Sequence, residues 1–187
     1  MKIKVNYKKI IIIIMVYVVY ITLFKGYISY YPTIPIYPNN HSDLEIMKRE
    51  MVKRTREDLD FFFKTNDSVG YAFLPYTDEK IEDLNKVVTS QNNIVLFFKY
   101  LINRRRPYQI DEGLKPLSTK TSNTPSYPAG HAYQAMLVAK YLSNKYPEKS
   151  RLFYNIAIKC DECRVKAGLH YKSDGEFSRT LFKIFNP

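Results

Sequence analysis

Residues 81–107 read IEDLNKVVTSQNNIVLFFKYLINRRRP, and this stretch decides the fold class. Its apolar side chains recur every three or four residues, which is the spacing of one face of an α-helix. These side chains are Ile81, Leu84, Val88, Val95, Phe98 and Ile102. Thr77 and Asp78 precede them as candidate capping residues, and Pro107 follows as a helix breaker. The pattern predicts one helix that ends near Asn103.

Helical periodicity also runs through the sequence on either side of this stretch. Ser42 and Glu45 form a capping-box pattern ahead of a charged amphipathic segment that runs to about Lys64. Further helices are predicted to begin at Pro128 and after Pro147, and a last one covers residues 174–185. The inward-facing residues of the last two helices are predicted to be Leu152, Ile156, Cys160, Cys163 and Ala167, then Phe177, Leu181 and Phe185. No segment alternates like a β-strand, so the sequence predicts an all-α helical bundle.

The composition is that of a folded chain with an anionic partner. The 187 residues are enough for one domain, and a hydrophobic content of 45% supports a packed core and excludes a disordered chain. Lys and Arg total 29 against 18 Asp and Glu, which gives a net charge of +11. Such a charge is typical of proteins that meet phosphate ligands, acidic lipid headgroups or nucleic acid.

The first 25 residues have the pattern of a membrane-targeting signal. Four lysines precede an uncharged apolar run from Ile10 to Phe24, and Lys25 closes it. Because no small-residue cleavage site follows, the sequence predicts an uncleaved signal anchor, with a single transmembrane helix within residues 1–25. The lysine cluster predicts a cytoplasmic N-terminus and an extracytoplasmic body, in a lumen or periplasm. Two alternatives stay open: a buried core helix, and a secreted protein if the segment is cleaved.

Residues 26–41 are predicted to be a linker. Pro32, Pro35 and Pro38 break any helix and favour an extended path away from the membrane. No second apolar run approaches spanning length, so residues 42–187 are predicted to form one water-soluble helical domain.

Lys99 and Arg106 form the first candidate binding segment. Each follows an apolar position of the predicted helix by four residues, so both side chains lie beside the buried stripe and converge at the helix end. An ammonium and a guanidinium aimed at one point suit the oxygens of a phosphoryl group. Alternatively, residues 104–106 are a solvated basic run or a nucleic-acid patch, although no nucleic-acid-binding module is recognisable.

The second candidate segment, Pro128-Ala129-Gly130-His131, opens a predicted helix. Backbone N–H groups at a helix N-terminus point at an anion, and glycine lets the backbone approach it closely. His131 can donate a proton to a leaving oxygen, because the pKa of histidine lies near working pH. The alternative is an ordinary residue at a helix cap.

The third candidate segment contains Arg164, His170 and Asp174. His170 falls on the apolar stripe, and Asp174 follows four residues later, where its carboxylate can accept the imidazole N–H. That hydrogen bond would fix the tautomer and make the other ring nitrogen a better nucleophile. Arg164 would add a second guanidinium. The alternative is a satisfied core histidine with a surface aspartate.

Together, the three segments resemble the signature of the type 2 phosphatidic acid phosphatase and vanadium haloperoxidase superfamily. That signature is a lysine, six residues and Arg-Pro, then Pro-Ser-Gly-His, then Ser-Arg, five residues, His, three residues and Asp. The residues in register are Lys99, Arg106, Pro107, Pro128, Gly130, His131, Arg164, His170 and Asp174. The residues around Ser126 and His170 are most similar to class A bacterial acid phosphatases.

The resemblance implies an all-helical catalytic domain with its phosphate site between helices. It implies a phosphatase that hydrolyses phosphate monoesters, either small esters or lipid phosphates. His170 would attack phosphorus to give a phosphohistidine and His131 would protonate the leaving group. The phosphoryl oxygens would be held by Lys99, Arg106, Arg164 and the Gly130 amide, with Ala129 standing where the family has serine. No metal or cofactor is implied, and no nucleic-acid partner is expected.

Two departures from the signature keep other hypotheses open. Ala129 lacks the family's serine hydroxyl, and losing one such donor costs up to about 3 kcal/mol of transition-state stabilisation. Cys163 also replaces a serine, and there a thiol can pack as a small hydrophobe. The alternatives are a vanadate-dependent haloperoxidase, a non-catalytic phosphate-binding protein of the same fold and, least favoured, a nucleic-acid binder. Cys160 and Cys163 alone cannot complete a structural zinc site, and no redox motif context surrounds them.

Overall fold

The computed structural model of the protein describes residues 33–119 and 122–187, together with residues 12, 15 and 16. Apart from these three positions, the predicted anchor over residues 1–25 lies outside the described residues, as does the first part of the predicted linker. Within the described residues, no helix combines the length and the apolar character needed to cross a membrane.

The described part of the chain is all-helical, with seven α-helices and no β-strand. They are α1 (Asn40–Val52), α2 (Arg56–Lys64), α3 (Ile81–Thr89), α4 (Asn92–Ile102), α5 (Gly130–Lys145), α6 (Ser150–Lys166) and α7 (Lys172–Phe185). Short 3-10 turns lie at Val69–Ala72, Leu74–Tyr76, Pro107–Gln109 and Pro147–Lys149. The predicted all-α class is therefore confirmed for this part of the chain.

Helix α5 forms the centre of the bundle. It packs along α6 and also contacts α3, α4 and α7. Its buried residues include Ala132, Ala135 and Ala139, whose small side chains let neighbouring helices approach closely, beside Tyr133 and Leu142. Since α5 is covered on several sides, it carries no wide polar face. The N-terminus of this central helix lies at the candidate site.

Two of the predicted helices are each divided in the structure. The predicted helix over residues 81–103 is α3 and α4, because Thr89 and Ser90 interrupt it: their hydroxyls donate back to the carbonyls of Asn85 and Val87, at 2.9 and 2.7 Å. The amphipathic segment predicted to run from Ser42 to about Lys64 forms two helices, α1 and α2.

The predicted caps of these helices were also wrong. Asn39 caps α1, so Ser42 lies inside that helix. Thr55 and Asp58 form a capping box that starts α2. Lys80, with no side-chain cap bond, precedes α3, where Thr77 and Asp78 had been expected to cap.

Three further predictions about the helices need correction. Helix α5 begins at Gly130 instead of Pro128, and α7 begins at Lys172, two residues earlier than expected. Leu152 and Phe185, predicted to face inward, are 36% and 45% exposed. They lie in the first turn of α6 and at the last residue of α7, where the helices extend past the core.

The described end of the predicted linker lies on the helical domain. The amide of Ile34 donates to the carbonyl of Ile102 at the end of α4, at 3.2 Å. The Tyr37 ring lies 5.8 Å from the ring of Tyr127, centroid to centroid. Helix α1 itself begins at Asn40. Residues 34–40 therefore pack against the helical domain.

Candidate active site

Lys99 and Arg106 lie on either side of a sharp helix end. Lys99 is in the last turn of α4, which stops because Asn103 adopts the left-handed conformation, with φ 52°. Arg106 follows in extended backbone, with φ −74° and ψ 159°. The predicted helix end near Asn103 is confirmed, but Asn103 and not Pro107 stops the helix, so Arg106 lies beyond it and Pro107 begins a 3-10 turn. Both cations are nevertheless buried, and both line the same cavity.

This cavity has a volume of about 370 Å³ and opens between α3, α4 and the N-terminus of α5. Five predicted site residues line it: Lys99, Arg106, Gly130, His131 and His170. The other lining residues include apolar Val88, Val95 and Leu96 and polar Asp67, Asn92 and Gln134. The cavity therefore combines a basic end with mixed walls that can contact the rest of a ligand.

His170 lies in the loop between α6 and α7, and not on a helix stripe as predicted. Helix α6 ends at Lys166, and Gly168 turns the chain with φ +76°. The imidazole Nδ1 lies 3.0 Å from Oδ2 of Asp174, and Nε2 lies 3.3 Å from the NH1 group of Arg106. Burial and the nearby Arg106 charge lower the pKa of His170 to about 3. The imidazole is therefore neutral at ordinary pH.

Asp174 is fully buried in the first turn of α7. Its Oδ2 accepts hydrogen bonds from the Ser126 hydroxyl and from the Tyr171 amide, the latter at 3.0 Å. Burial alone would raise the pKa of Asp174. The hydrogen bond to His170 and the Arg104 charge outweigh that effect and lower the pKa to about 2. The carboxylate is therefore ionised and can accept the Nδ1 proton of His170.

The segment after residue 123 orients the two cations at the basic end of the cavity. Lys99 Nζ donates to the carbonyl of Pro125 at 2.6 Å, and Arg106 Nε donates to that of Thr124 at 2.8 Å. A second Arg106 group donates to the carbonyl of Leu169 at 2.9 Å. Burial and the charge of Arg106 lower the pKa of Lys99. Two desolvated positive charges side by side favour an anion between them.

The start of α5 contributes its free backbone amides and His131. Ala129 is the N-cap residue and makes no side-chain cap bond, so the first amides of the helix have no side-chain partner there. Its own amide donates to the carbonyl of Asp174 at 3.1 Å. His131 is hydrogen-bonded to the backbone of Asn66, and burial and the charge of Arg164 lower its pKa well below the ordinary value.

Three predicted site residues do not line the cavity. Asp174 stands behind His170, and Ala129 has only 1% of its surface exposed. Arg164 is buried at the end of α6, where it donates to the carbonyl of Thr65 at 2.9 Å and lies 4.5 Å above the Phe62 ring. Arg164 thus acts on the cavity through its charge, which reaches His131.

Two residues next to the motifs belong to the site although the sequence analysis did not assign them to it. Arg104 is fully buried and donates to Asp174 at 2.7 Å, so it is not part of a solvated basic run; Arg105 is the exposed member. Ser126 donates to Asp174. Arg104 gave no local signal, because its carboxylate partners lie 61 and 70 residues away. Ser126 did have a local sequence signal, because it lies two residues before Pro128.

Cys160 and Cys163 are buried and form no disulfide. Burial raises the pKa of Cys160, and it raises that of Cys163 to about 11. Both are therefore protonated thiols that pack as small apolar groups. In the described ranges, no cluster of three His, Cys, Asp or Glu side chains could hold a metal ion.

Comparison with known proteins gives no independent assignment of function. No protein-family model matches this chain, and no curated protein matches it. A functional assignment therefore rests on the geometry of the cavity and on the chemistry of the side chains around it.

Proposed function

We propose that this protein is a phosphatase of the type 2 phosphatidic acid phosphatase and vanadium haloperoxidase superfamily, which hydrolyses phosphate monoesters without a metal. The observation that carries the proposal is the placement of His170. Its Nδ1 faces an ionised carboxylate at 3.0 Å, while Nε2 lies on the wall of a cavity with a buried lysine and arginine. A neutral imidazole beside a cationic cradle is suited to attack a phosphoryl group.

In the first step, Lys99, Arg106 and the amides at the start of α5 bind the phosphoryl oxygens. The lone pair on Nε2 of His170 forms a bond to phosphorus, and the bond from phosphorus to the ester oxygen breaks. His131 in its protonated form gives a proton to that leaving oxygen. Asp174 accepts the Nδ1–H of His170 and stabilises the positive charge that develops on the ring.

In the second step, water attacks the phosphohistidine. His131, now neutral, takes a proton from the water as its oxygen bonds to phosphorus. The phosphorus–nitrogen bond breaks, its electron pair returns to Nε2 of His170, and inorganic phosphate leaves. A bound phosphoryl group carries negative charge, which raises the pKa of His131 and favours the protonated form that the first step requires.

The test is hydrolysis of an aryl phosphate by His170→Ala, with His41→Ala as the matched control. His41 is exposed on α1, outside the cavity. We expect the first variant to lose at least about 10³-fold in kcat and the control to keep wild-type activity. Unchanged turnover in His170→Ala would refute the proposal. Vanadate or phosphate binding without hydrolysis of any ester would identify a non-catalytic phosphate binder instead.

Vanadate distinguishes the second enzyme hypothesis. We expect vanadate to inhibit hydrolysis competitively, because its oxygens resemble those of the transferring phosphoryl group. A haloperoxidase would instead oxidise bromide with hydrogen peroxide once vanadate is bound, and detection of that oxidation would favour the alternative.

We further propose that the catalytic domain lies outside the cytoplasm, tethered by the N-terminal segment. The support is the apolar run from Ile10 to Phe24 behind four lysines. Small esters and lipid phosphates both remain candidate substrates. A panel of phosphate esters, assayed with and without detergent-dispersed lipid phosphates, distinguishes them.

A further inference from the structure

We propose that Arg104 is a positioning residue for this reaction: it holds the Asp174 carboxylate in the orientation that directs the Nδ1–H of His170. This inference rests on the proposed function. Arg104 lies two residues before Arg106 but makes a different set of contacts, and it does not line the cavity. It therefore acts through Asp174 and not on the substrate.

The Arg104 guanidinium is saturated with hydrogen-bond acceptors. Its side chain has 0% exposure. NH1 donates to Asp174 Oδ1 and to the Ser173 hydroxyl, both at 2.7 Å. NH2 donates to Asp43 Oδ2 at 2.9 Å, and Nε donates to Asn40 Oδ1 at 3.0 Å. A buried guanidinium with partners on all three nitrogens is held in one position.

Aromatic rings fix the plane of the same guanidinium. Its central carbon lies 3.9 Å from the centroid of the Tyr171 ring and 4.5 Å from that of the Tyr37 ring. Contacts at these distances favour a cation over the ring face. Tyr171 is also the residue whose amide donates to Asp174 Oδ2. Tyr171 therefore contacts the Arg104 guanidinium through its ring and the Asp174 carboxylate through its backbone amide.

The two carboxylate oxygens of Asp174 have different hydrogen-bond partners. Oδ1 accepts from Arg104, which leaves Oδ2 for His170 Nδ1, the Ser126 hydroxyl and the Tyr171 amide. Without Arg104, no other side chain among the described residues would hold Oδ1, and the carboxylate could rotate. The Ser126 hydroxyl and the Tyr171 amide would still hold Oδ2, but less firmly, so part of the His170 population would carry its proton on Nε2, the nitrogen that must attack phosphorus.

A purely structural role predicts a different pattern of effects. Arg104 also ties α1 to the domain through Asp43, so its loss could act by loosening that helix. Asp43→Asn separates the two roles, because it weakens the α1 side and leaves the contact to Asp174 in place. Arg105→Met is the matched control, since Arg105 is the next residue in the chain and is exposed.

The experiment compares Arg104→Met, Arg104→Lys, Asp43→Asn and Arg105→Met in the full-length protein. For each variant, kcat per active site is measured with an aryl phosphate, counting sites by the phosphoenzyme burst. We expect Arg104→Met to lose about 10²-fold in kcat, as misplaced catalytic groups do, with KM changed less than about 3-fold. Arg104→Lys recovers part of the loss. Asp43→Asn stays close to Arg105→Met.

A readout that needs no turnover comes from ¹⁵N NMR of labelled histidine. We expect neutral His170 to carry its proton on Nδ1 in the wild type and to be a mixture of the Nδ1–H and Nε2–H tautomers in Arg104→Met. Wild-type kcat with an unchanged tautomer in Arg104→Met would overturn the inference, and so would an equal loss in Asp43→Asn. Absence of ester hydrolysis in the wild type would refute the proposed function, while the tautomer of His170 would still test Arg104.

Discussion

Nε2 of His170 lies 3.3 Å from NH1 of Arg106. A guanidinium can only donate hydrogen bonds, so Arg106 favours the tautomer in which the facing Nε2 is unprotonated. The ring proton then sits on Nδ1, directed at Asp174. The arginine that is proposed to bind phosphate thus favours the same His170 tautomer as Asp174 does, with Nε2 unprotonated, before any ester arrives.

The buried histidine makes folding stability depend on pH. The pKa of His170 is about 3 in the folded protein, against an ordinary value of 6.5. Below pH 6.5 the unfolded chain binds more protons, so the free energy of unfolding falls as the pH drops from 6.5 toward 3. Asp174 adds a loss below about pH 3.8, because its folded pKa is about 2.

Urea unfolding of the wild type and His170→Gln between pH 7.5 and 4.5 measures this effect. We expect the wild type to lose stability steadily below pH 6.5 and the variant to lose less per pH unit. His131, whose pKa is lowered too, leaves a residual slope in both. Parallel curves for the two proteins would show that His170 is not buried in its neutral form.

Binding of an anion is predicted to take up protons. The pKa values of Lys99 and His131 are lowered by burial and by neighbouring positive charges. Vanadate or phosphate between these groups offsets that repulsion and raises both values. Sulfate carries no titratable proton at pH 7, so calorimetric titration with sulfate in buffers of different ionisation enthalpy should report net proton uptake, smaller in His131→Gln. Proton release would contradict this arrangement of positive charges around the cavity.

Ala129→Ser is predicted to stabilise the protein and to accelerate hydrolysis. Ala129 caps α5 without a side-chain bond, and a serine there can accept from an amide of the first turn. Helix caps of this kind contribute about 1 kcal/mol, which corresponds to a rise in Tm of about 2–4 °C at this chain length. A hydroxyl that also donates to a phosphoryl oxygen should raise kcat by about 10-fold or more.

Ala129→Gly is the matched variant, because glycine is an acceptable N-cap that carries no hydroxyl. A higher Tm in the serine variant without a higher kcat would mean that the hydroxyl caps the helix but does not reach the substrate. An increase in kcat shared by the glycine variant would show that the hydroxyl is not responsible.

Asp67 is predicted to disfavour substrates whose leaving group carries a negative charge. It is the only carboxylate that the described residues place on the cavity wall, and it follows Asn66, whose backbone bonds to His131. A second anionic group on the substrate would therefore meet like charge. Asp67→Asn should raise kcat/KM for pyrophosphate relative to glycerol phosphate by about 2–5-fold, as expected for an exposed charge pair. An unchanged ratio would remove Asp67 from the specificity of the site.

The sequence predicts the residues of the cavity better than the elements that carry them. The sequence pattern indicates which side chains are buried and that the helix ends near Asn103, but it does not register the break at Thr89 and Ser90, where hydroxyl groups donate back to helix carbonyls. The Thr55–Asp58 capping box was readable in the sequence as a second helix start. Lys99 and Arg106 converge although only one of them is helical.

The contacts that support the site could not be predicted from spacing. Arg104 is buried because carboxylates and rings from α1, the Tyr127 segment and α7 surround it. Those partners come together only when the bundle forms, so residues 104–106 have the local pattern of a solvated basic run. Arg164 was expected at the phosphate, but its contacts with Thr65 and Phe62 depend on where α2 ends.

The docking of residues 34–43 against the end of α4 sets a limit on where the polypeptide can be cut. Cleavage before Ile34 would leave the described contacts of Arg104 in place, and a protein released in that way would keep its catalytic apparatus. Removal of residues up to Asp43 would take two side-chain acceptors, Asn40 and Asp43, from the buried Arg104 guanidinium. That guanidinium also holds Asp174, the carboxylate beside the proposed nucleophile. The shortest active fragment is therefore expected to begin before α1 and to keep Tyr37, Asn40 and Asp43, which limited proteolysis and assay of the resulting fragments can establish.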